Sequence, residues 1–588
     1  MSYSHFGAPT TYNGTGENGG DPSFVNLNQW YTTGDTSFIL FASCLVMFMV
    51  PGIALLYSGL ARRKSALSLL WVVMMSFSVL TFQWYFWGYS LAYSSTASNS
   101  FIGNLHHFGL RHVLGAPSQG SPLVSSLLYS WFQLMFCAVT GALVVGAVCE
   151  RGRAFPAMVF IFAWATVVYC PIAYWVWNAN GWAFKWGVFD YAGGGPVEIA
   201  SGMSALAYSM VLGRRNAFLM GNYRPHNISL VMIGTIMLFF GWMGFNGGSA
   251  FGANLRAVIS CWNTTLTAGF AGMAWVVLDF RLSHKLSMVG WCSGTISGLV
   301  AATPASGFIS MWASIVLGIV AGIVCNFATK IKYMLQIDDS LDVFAEHAVG
   351  GIIGLLFNGL FAEENVIALD GINVGVNGGW VDHVYSRLYK QFAYICAASA
   401  YSFAVSYILA RGIDLIPGLH LRVTHDGELF GTDDDQHGEY SYDYVEVRRD
   451  YLAWTPATDY PQTGELDGVY ANPQLGIPQH ATLAAASQAE KERHRGDAAA
   501  AAAAEPEKVS RLTRILGPTT PAAARSPPQS KSGRPDSNGS APNSSTASAS
   551  PTAVGGAATT SAGIGASAGA VPGPAPVAGG ADTITKRD

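Results

Sequence analysis

The sequence predicts an all-α polytopic membrane protein with eleven transmembrane helices. Three observations carry that expectation. Of 588 residues, 51% are hydrophobic and only 12% charged, about half the charged share of an ordinary soluble domain. Apolar stretches of roughly 20 residues, long enough to cross a bilayer, recur along roughly the first seventy per cent of the chain. The 66 glycines suit close helix packing in lipid.

The expected spans lie near 37–59, 67–93, 124–149, 154–177, 193–213, 228–248, 256–279, 286–303, 309–329, 344–362 and 391–411. Basic residues orient them. One set of alternate loops carries Arg62, Arg63 and Lys64, then Arg151 and Arg153, then Arg214, Arg215 and Arg224, then Arg281 and Lys285, then Lys330 and Lys332. The opposite set is poorer, with Arg111, Lys185, Arg256, Arg387 and Lys390. The N-terminus is therefore expected outside and the C-terminus in the cytosol, as an odd number of spans requires. The polar N-terminus lacks Lys and Arg, so no cleaved signal peptide is expected and the first span targets the chain.

Residues 1–35 form an expected exterior arm and 36–412 the membrane core. Residues 413–475 form a polar, acidic and Tyr-rich cytosolic segment that includes Asp433, Asp434 and Asp435. Residues 476–588 hold an Ala run from Ala498 to Ala504 and a Ser/Pro/Ala/Gly tract. Such a tract cannot bury a core and is expected to be disordered. The net charge of −4 argues against a nucleic-acid partner. The eight cysteines lack a CxxC pair and read as small buried hydrophobes, so neither a disulfide framework nor a metal site is expected. Asn13-Gly14-Thr15 is a glycosylation acceptor on the exterior arm; similar triplets at Asn227 and Asn538 fall on the cytosolic side, and Asn263 falls within a span. Such triplets also arise by chance, so an unmodified Asn13 is the plainer alternative.

Two segments share a spacing. Asp190-Tyr191-Ala192-Gly193-Gly194 leads, eight residues on from Asp190, to Glu198; Asp339-Ser340-Leu341-Asp342 leads, eight residues on from Asp339, to His347. Each acid precedes a span and each ionisable partner lies inside one. Five spans separate the two units, an odd number, so their orientations are opposite, which is the signature of an inverted repeat with a site at its interface. A charge at membrane depth costs about 2.5–3.5 kcal/mol, so Glu198 and His347 are expected to face each other and share a proton. The plainer readings are a satisfied core histidine and a glutamate at a span end. Asp190 is placed to cap the fifth helix.

Aromatic residues gather at the exterior ends of three spans: Trp131-Phe132-Gln133-Leu134-Met135-Phe136, Tyr174-Trp175-Val176-Trp177, and Gly241-Trp242-Met243-Gly244-Phe245-Asn246-Gly247-Gly248-Ser249. They read either as an interfacial belt or as a cup for a small cation, each ring contact contributing about 0.5–2 kcal/mol. Residue types alone leave both readings open.

From about residue 30 to about residue 445 the chain resembles fungal ammonium permeases of the ammonium transporter / methylammonium permease / Rhesus family. The motifs are Pro51-Gly52-Ile53-Ala54-Leu55-Leu56-Tyr57-Ser58-Gly59-Leu60, Asp190 through Gly194, Gly241 through Ala250, and Asp338-Asp339 through His347. The resemblance implies an eleven-span protomer with a five-plus-five inverted repeat, assembled as a homotrimer in the plasma membrane with one pore per subunit. It assigns an external site for ammonium and methylammonium to Phe132, Trp177 and Ser249, with Asp190 nearby. It assigns a gate to Phe136 and Phe245 and a pore pair to Glu198 and His347. Glu198 stands where most members have His, which alters the proton path. Residues near 413–445 resemble a regulatory tail that packs under neighbouring pores, where cytosolic regulators are expected. Three functions compete: ammonium uptake with the proton carried separately, a neutral ammonia channel, and an ammonium sensor that signals for filamentous growth. No nucleotide loop, nucleophile–base pairing or metal cluster points to an enzyme, and no cofactor is expected.

Overall fold

The structure, a computed structural model, describes residues 12–14, 16, 18–221 and 224–442. The described residues are helical and contain no β-strand, only isolated bridges. The main helices are α1 (Thr33–Leu60), α2 (Arg63–Tyr93), α3 (Ser126–Val148), α4 (154–177), α5 (194–212), α6 (Ile228–Gly248), α7 (Leu255–Ser283), α8 (Met288–Ala302), α9 (Met311–Ala328), α10 (Phe344–Phe361) and α11 (Ser386–Asp414). Among the described residues, nine helices have the length and apolarity to cross a membrane; the 194–212 and Met288–Ala302 segments are not of that number and pack against those that are.

Side-chain caps start several of these helices. Thr32 accepts the Asp35 N–H, Ser125 that of Leu128, Asn227 that of Leu230 and Asn254 that of Ala257, which supplies partners for N–H groups that the helix leaves open. Asn227 thus serves as an N-cap. Asn263, wholly buried, donates to the carbonyls of Ser306 and Ile309. Asn13 is exposed, and Asn538 lies outside the described residues.

The α1 and α6 helices pack along most of their lengths. A Cβ on Gly59 would lie 2.8 Å from Asn227 O and Val231 N, and one on Gly234 would meet Gly52 O at 2.6 Å. Close backbone approach of this kind is how membrane helices associate without a hydrophobic driving force. The outward surfaces carry Phe41, Phe48, Phe82, Phe240, Val277 and Phe392, all exposed, as a lipid-facing surface requires.

Two expectations change. Cys44 and Cys396 are exposed, whereas Cys137, Cys149, Cys170, Cys292 and Cys325 are buried; an apolar run does not tell which helix face a thiol occupies. Arg256 and Arg387, counted as loop charges, are buried: Arg256 pairs with Asp370 at 2.6 Å, and Arg387 donates to the carbonyls of Gly187, Asn377 and Gly378. Their charges hold loops together.

Residues 413–442 turn back along their own chain. Val423 N–H donates to Arg151 O, and Asp433, wholly buried, accepts the N–H groups of Leu67 and Ser68 at 3.1 and 2.8 Å. The segment thereby covers the α1–α2 turn. Residues 443–475 and the whole 476–588 tract lie outside the described residues.

Candidate functional site

The head of α5 is built around Asp190. Its Oδ1 accepts the N–H groups of Gly193 and Gly194 at 2.9 and 2.6 Å, and its Oδ2 accepts that of Gly195 at 2.8 Å. Gly193 has φ +117°, a region open to glycine at no steric cost. A Cβ there would press on Val197 and the Trp177 ring. The head of α10 repeats the design, with Asp339 Oδ2 accepting the Phe344 N–H at 2.8 Å. Both helices then open with a π turn, Gly194–Ile199 and Phe344–Ala348, a distortion frequent at functional sites. Those turns hold Glu198 and His347.

Glu198 and His347 meet. His347 Nδ1 lies 2.8 Å from Glu198 Oε2, and both side chains are buried. Two glycines permit the approach. A Cβ on Gly202 would strike the Ala348 backbone, and one on Gly351 would sit 2.7 Å from Glu198 Cβ. Each glycine falls four residues beyond its ionisable partner. That second periodicity extends the Asp-to-pair spacing, and a search for matched Gly positions in the sequence would have found it.

The aromatic residues also converge. Phe136 and Phe245 stack at 3.9 Å between centroids and 23° between planes. Phe132 lies 4.9 Å from Phe136, and Trp177 meets Phe136 edge-on at 6.1 Å. A Cβ on Gly248 would lie 2.8 Å from the Phe132 ring, so glycine lets α6 reach α3. Trp177 Nε1 donates to Asp190 O at 3.2 Å, which ties the aromatic ring to the α5 head. Ser249 Oγ donates to Phe245 O at 2.9 Å. A hydroxyl has one proton and two acceptor lone pairs, so Ser249 keeps acceptor capacity for an N–H donor. Asp190 accepts three backbone N–H groups at the α5 head, which fixes the turn that carries the carbonyl bonded by Trp177. Trp242 packs 5.6 Å from Phe245 and donates through Nε1 to Thr303 Oγ1 at 2.9 Å.

Sequence reasoning missed two features. Glu346, beside His347, is buried in the middle of the π turn. On the side of the basic loops, Arg215 bridges Glu150 at 2.9 Å and Asp338 at 2.8 Å, while the wholly buried Arg151 donates to Asp338 O at 2.5 Å and Ser340 Oγ at 3.0 Å. Glu428 joins this region by accepting the Asn216 N–H at 2.5 Å and pairing with Arg422 at 2.7 Å.

A helix bundle that buries an acid–imidazole pair beneath two stacked rings falls in the class of polytopic membrane transporters. A family model described as Ammonium Transporter Family matches residues 37–442. Ammonium transporter 2 of Schizosaccharomyces pombe is 50% identical over 450 residues, covering 76% of this chain and 88% of that protein. Ammonium transporter MEP3 of Saccharomyces cerevisiae is 53% identical over 434 residues, covering 73% of this chain and 88% of that protein. The crystal structure of Saccharomyces cerevisiae Mep2 superposes with a TM-score of 0.67 at 46% identity, covering 76% of this chain and 98% of the other. This chain belongs to the ammonium transporter family.

Proposed function

We propose that this ammonium transporter recruits NH4+ at the aromatic cup, deprotonates it, and conducts NH3 through an apolar pore while the proton travels by way of Glu198 and His347. The observation that carries the reading is the 2.8 Å contact between His347 Nδ1 and Glu198 Oε2. Phe132, Trp177 and Ser249 hold the cation: rings attract its charge, and the Ser249 oxygen accepts an N–H bond that K+ and Na+ cannot supply. Asp190 supports the site through its helix head. Phe136 and Phe245 form a gate that excludes hydrated ions, since a 3.9 Å stack leaves no gap. Methylammonium, with the same N–H donors, is the expected analogue.

The matched Asp190/Glu198 and Asp339/His347 units support a five-plus-five inverted repeat, and the basic-loop bias supports eleven spans with the N-terminus outside. The chain works as a homotrimer in the plasma membrane, as the resemblance implies. Asn13 is its exterior glycosylation site, and the 413–475 segment is where cytosolic regulators act. The test is substrate-induced current from the purified full chain in liposomes. Current with ammonium and none with K+ is expected; ammonium-driven alkalinisation without current would make the protein a neutral ammonia channel.

A further inference from the structure

The proton that reaches His347 needs an acceptor on the side away from the gate. A cavity of about 20 Å3 lies there, between the ends of α1, α3, α6 and α8 and the π turn of α10. Glu346, His347, Tyr57 and Ser293 supply its polar lining, and leucine, valine and isoleucine side chains fill most of the rest. That volume suits about one water molecule, which needs roughly 10–15 Å3 and two to four polar partners.

Glu346 is the carboxylate of that cavity. It is 7% exposed, and no ion pair holds it among the described residues. Lys332, whose charge reaches Glu346, pairs with Asp342 at 2.7 Å. A carboxyl at membrane depth without a cation partner is costly and is retained for function by default. The Ser293 hydroxyl on α8 faces it, and Tyr57 on α1, Cys292 on α8 and Cys325 on α9 are the other titratable groups packed around it. Asp339, Asp342 and Lys332 lie on its loop side, and His347 with Glu198 on its pore side. Asp342 sits one turn before it, accepts the Glu346 N–H through its carbonyl at 3.0 Å, and has a side chain 28% exposed.

We propose that Glu346 takes the proton from His347 through one water in this cavity and releases it toward Asp342 and the cytosolic face. The Nδ1 of His347 is committed to Glu198, so the leaving proton is on Nε2. That N–H bond breaks as water accepts the proton; the water gives one of its own to a Glu346 oxygen, forming a carboxyl O–H. Loss of that proton on the Asp342 side regenerates the carboxylate, so one proton enters and one leaves with no other reactant. The step rests on the proposed role of the Glu198–His347 pair and adds its outlet.

The test compares Glu346→Gln, Glu346→Asp, Ser293→Val and Glu198→Gln, each as the full chain in liposomes, by ammonium-induced current from pH 5 to 8. Glu346→Gln is expected to lower the current at least threefold and flatten its pH profile, and Glu346→Asp to restore both. A smaller loss with the parent's profile overturns the relay. A loss shared by the Gln and Asp variants with the profile unchanged makes Glu346 a packing residue and overturns it as well. Ser293→Val removes the hydroxyl facing the carboxyl without touching charge, and decides the matter if Glu346→Gln does not fold: a threefold loss supports the water route and a parental current overturns it. If Glu198→Gln impairs transport while Glu346→Gln does not, the outlet alone fails; if neither impairs it, the reading of the pair fails.

Discussion

Replacing Asp338 by Asn should destabilise the protein without touching the pore. Asp338 accepts three bonds from Arg215, from N and Nη2 at 2.9 Å and from Nε at 2.8 Å, and its side chain is 5% exposed. The buried Arg151 lies 3.9 Å away. An amide keeps one acceptor but loses the charge, leaving Arg151 uncompensated and Arg215 with Glu150 alone. Removing one member of a buried ion pair costs about 3–5 kcal/mol. At about 2 °C per kcal/mol for a large chain, the apparent Tm of the detergent-purified protein should fall by roughly 6–10 °C. Burial alone would raise the Asp338 pKa, but the hydrogen bonds of Arg215 and the charges of Arg151 and Arg215 outweigh it and hold the carboxyl well below the usual carboxylate range. A depressed pKa gives stability that is present above the unfolded value, about 4, and is lost only as pH falls below it. The difference between Asp338→Asn and parent should therefore be constant from pH 5 to 8. Asp426→Asn, at an 83% exposed side chain, is the control and should shift stability by less than about 0.5 kcal/mol. Equal melting of Asp338→Asn and parent would refute the assignment of the cluster as a structural keystone.

Trp177→Leu should weaken the apparent affinity for methylammonium roughly threefold to tenfold, as loss of about 0.5–2 kcal/mol of cation–ring attraction implies; uptake normalised to surface protein checks it, and unchanged kinetics would assign Trp177 to an interfacial belt. Truncation after residue 476 should leave uptake intact. Truncation after residue 412 should impair it, because Asp433 and Glu428 then no longer hold the α1–α2 turn and the Asn216 loop; equal activity of both truncations would remove the regulatory role. A tag at residue 3 should bind antibody on intact cells and a tag at residue 585 should not, and the reverse would overturn the orientation.

The Glu198–His347 contact was legible in the sequence because membrane-depth chemistry is sparse. An ionisable group inside an apolar run stands out, and Glu198 and His347 share a spacing to an acid that caps each helix head. The 228–248 span coincides with α6 because Asn227 starts it, and a glycine pair followed by Ser249 ends it. What stayed hidden was long-range or local in ways composition does not record. Arg215 meets Glu150 and Asp338 across 65 and 123 residues, so Arg151 and Arg215 read as ordinary loop charges. The π turns are a change of hydrogen-bond register that residue types do not report. Glu346 carried the same membrane-depth signal as its neighbour His347, but its repeat counterpart, Val197, has no ionisable group, so no matched spacing marks it.

The most direct measurement is ammonium-induced current from the purified protein with Glu198→Gln, read from pH 5 to 8, the range in which an unperturbed imidazole changes charge. Gln keeps the size and a hydrogen bond to His347 Nδ1 but removes the proton acceptor. The account predicts a strong loss of current with the oligomer intact, and retained transport with a different pH dependence for Glu198→His. A Glu198→Gln current equal to the parent's at every pH would contradict it: Glu198 would be structural, and the proton would travel another way.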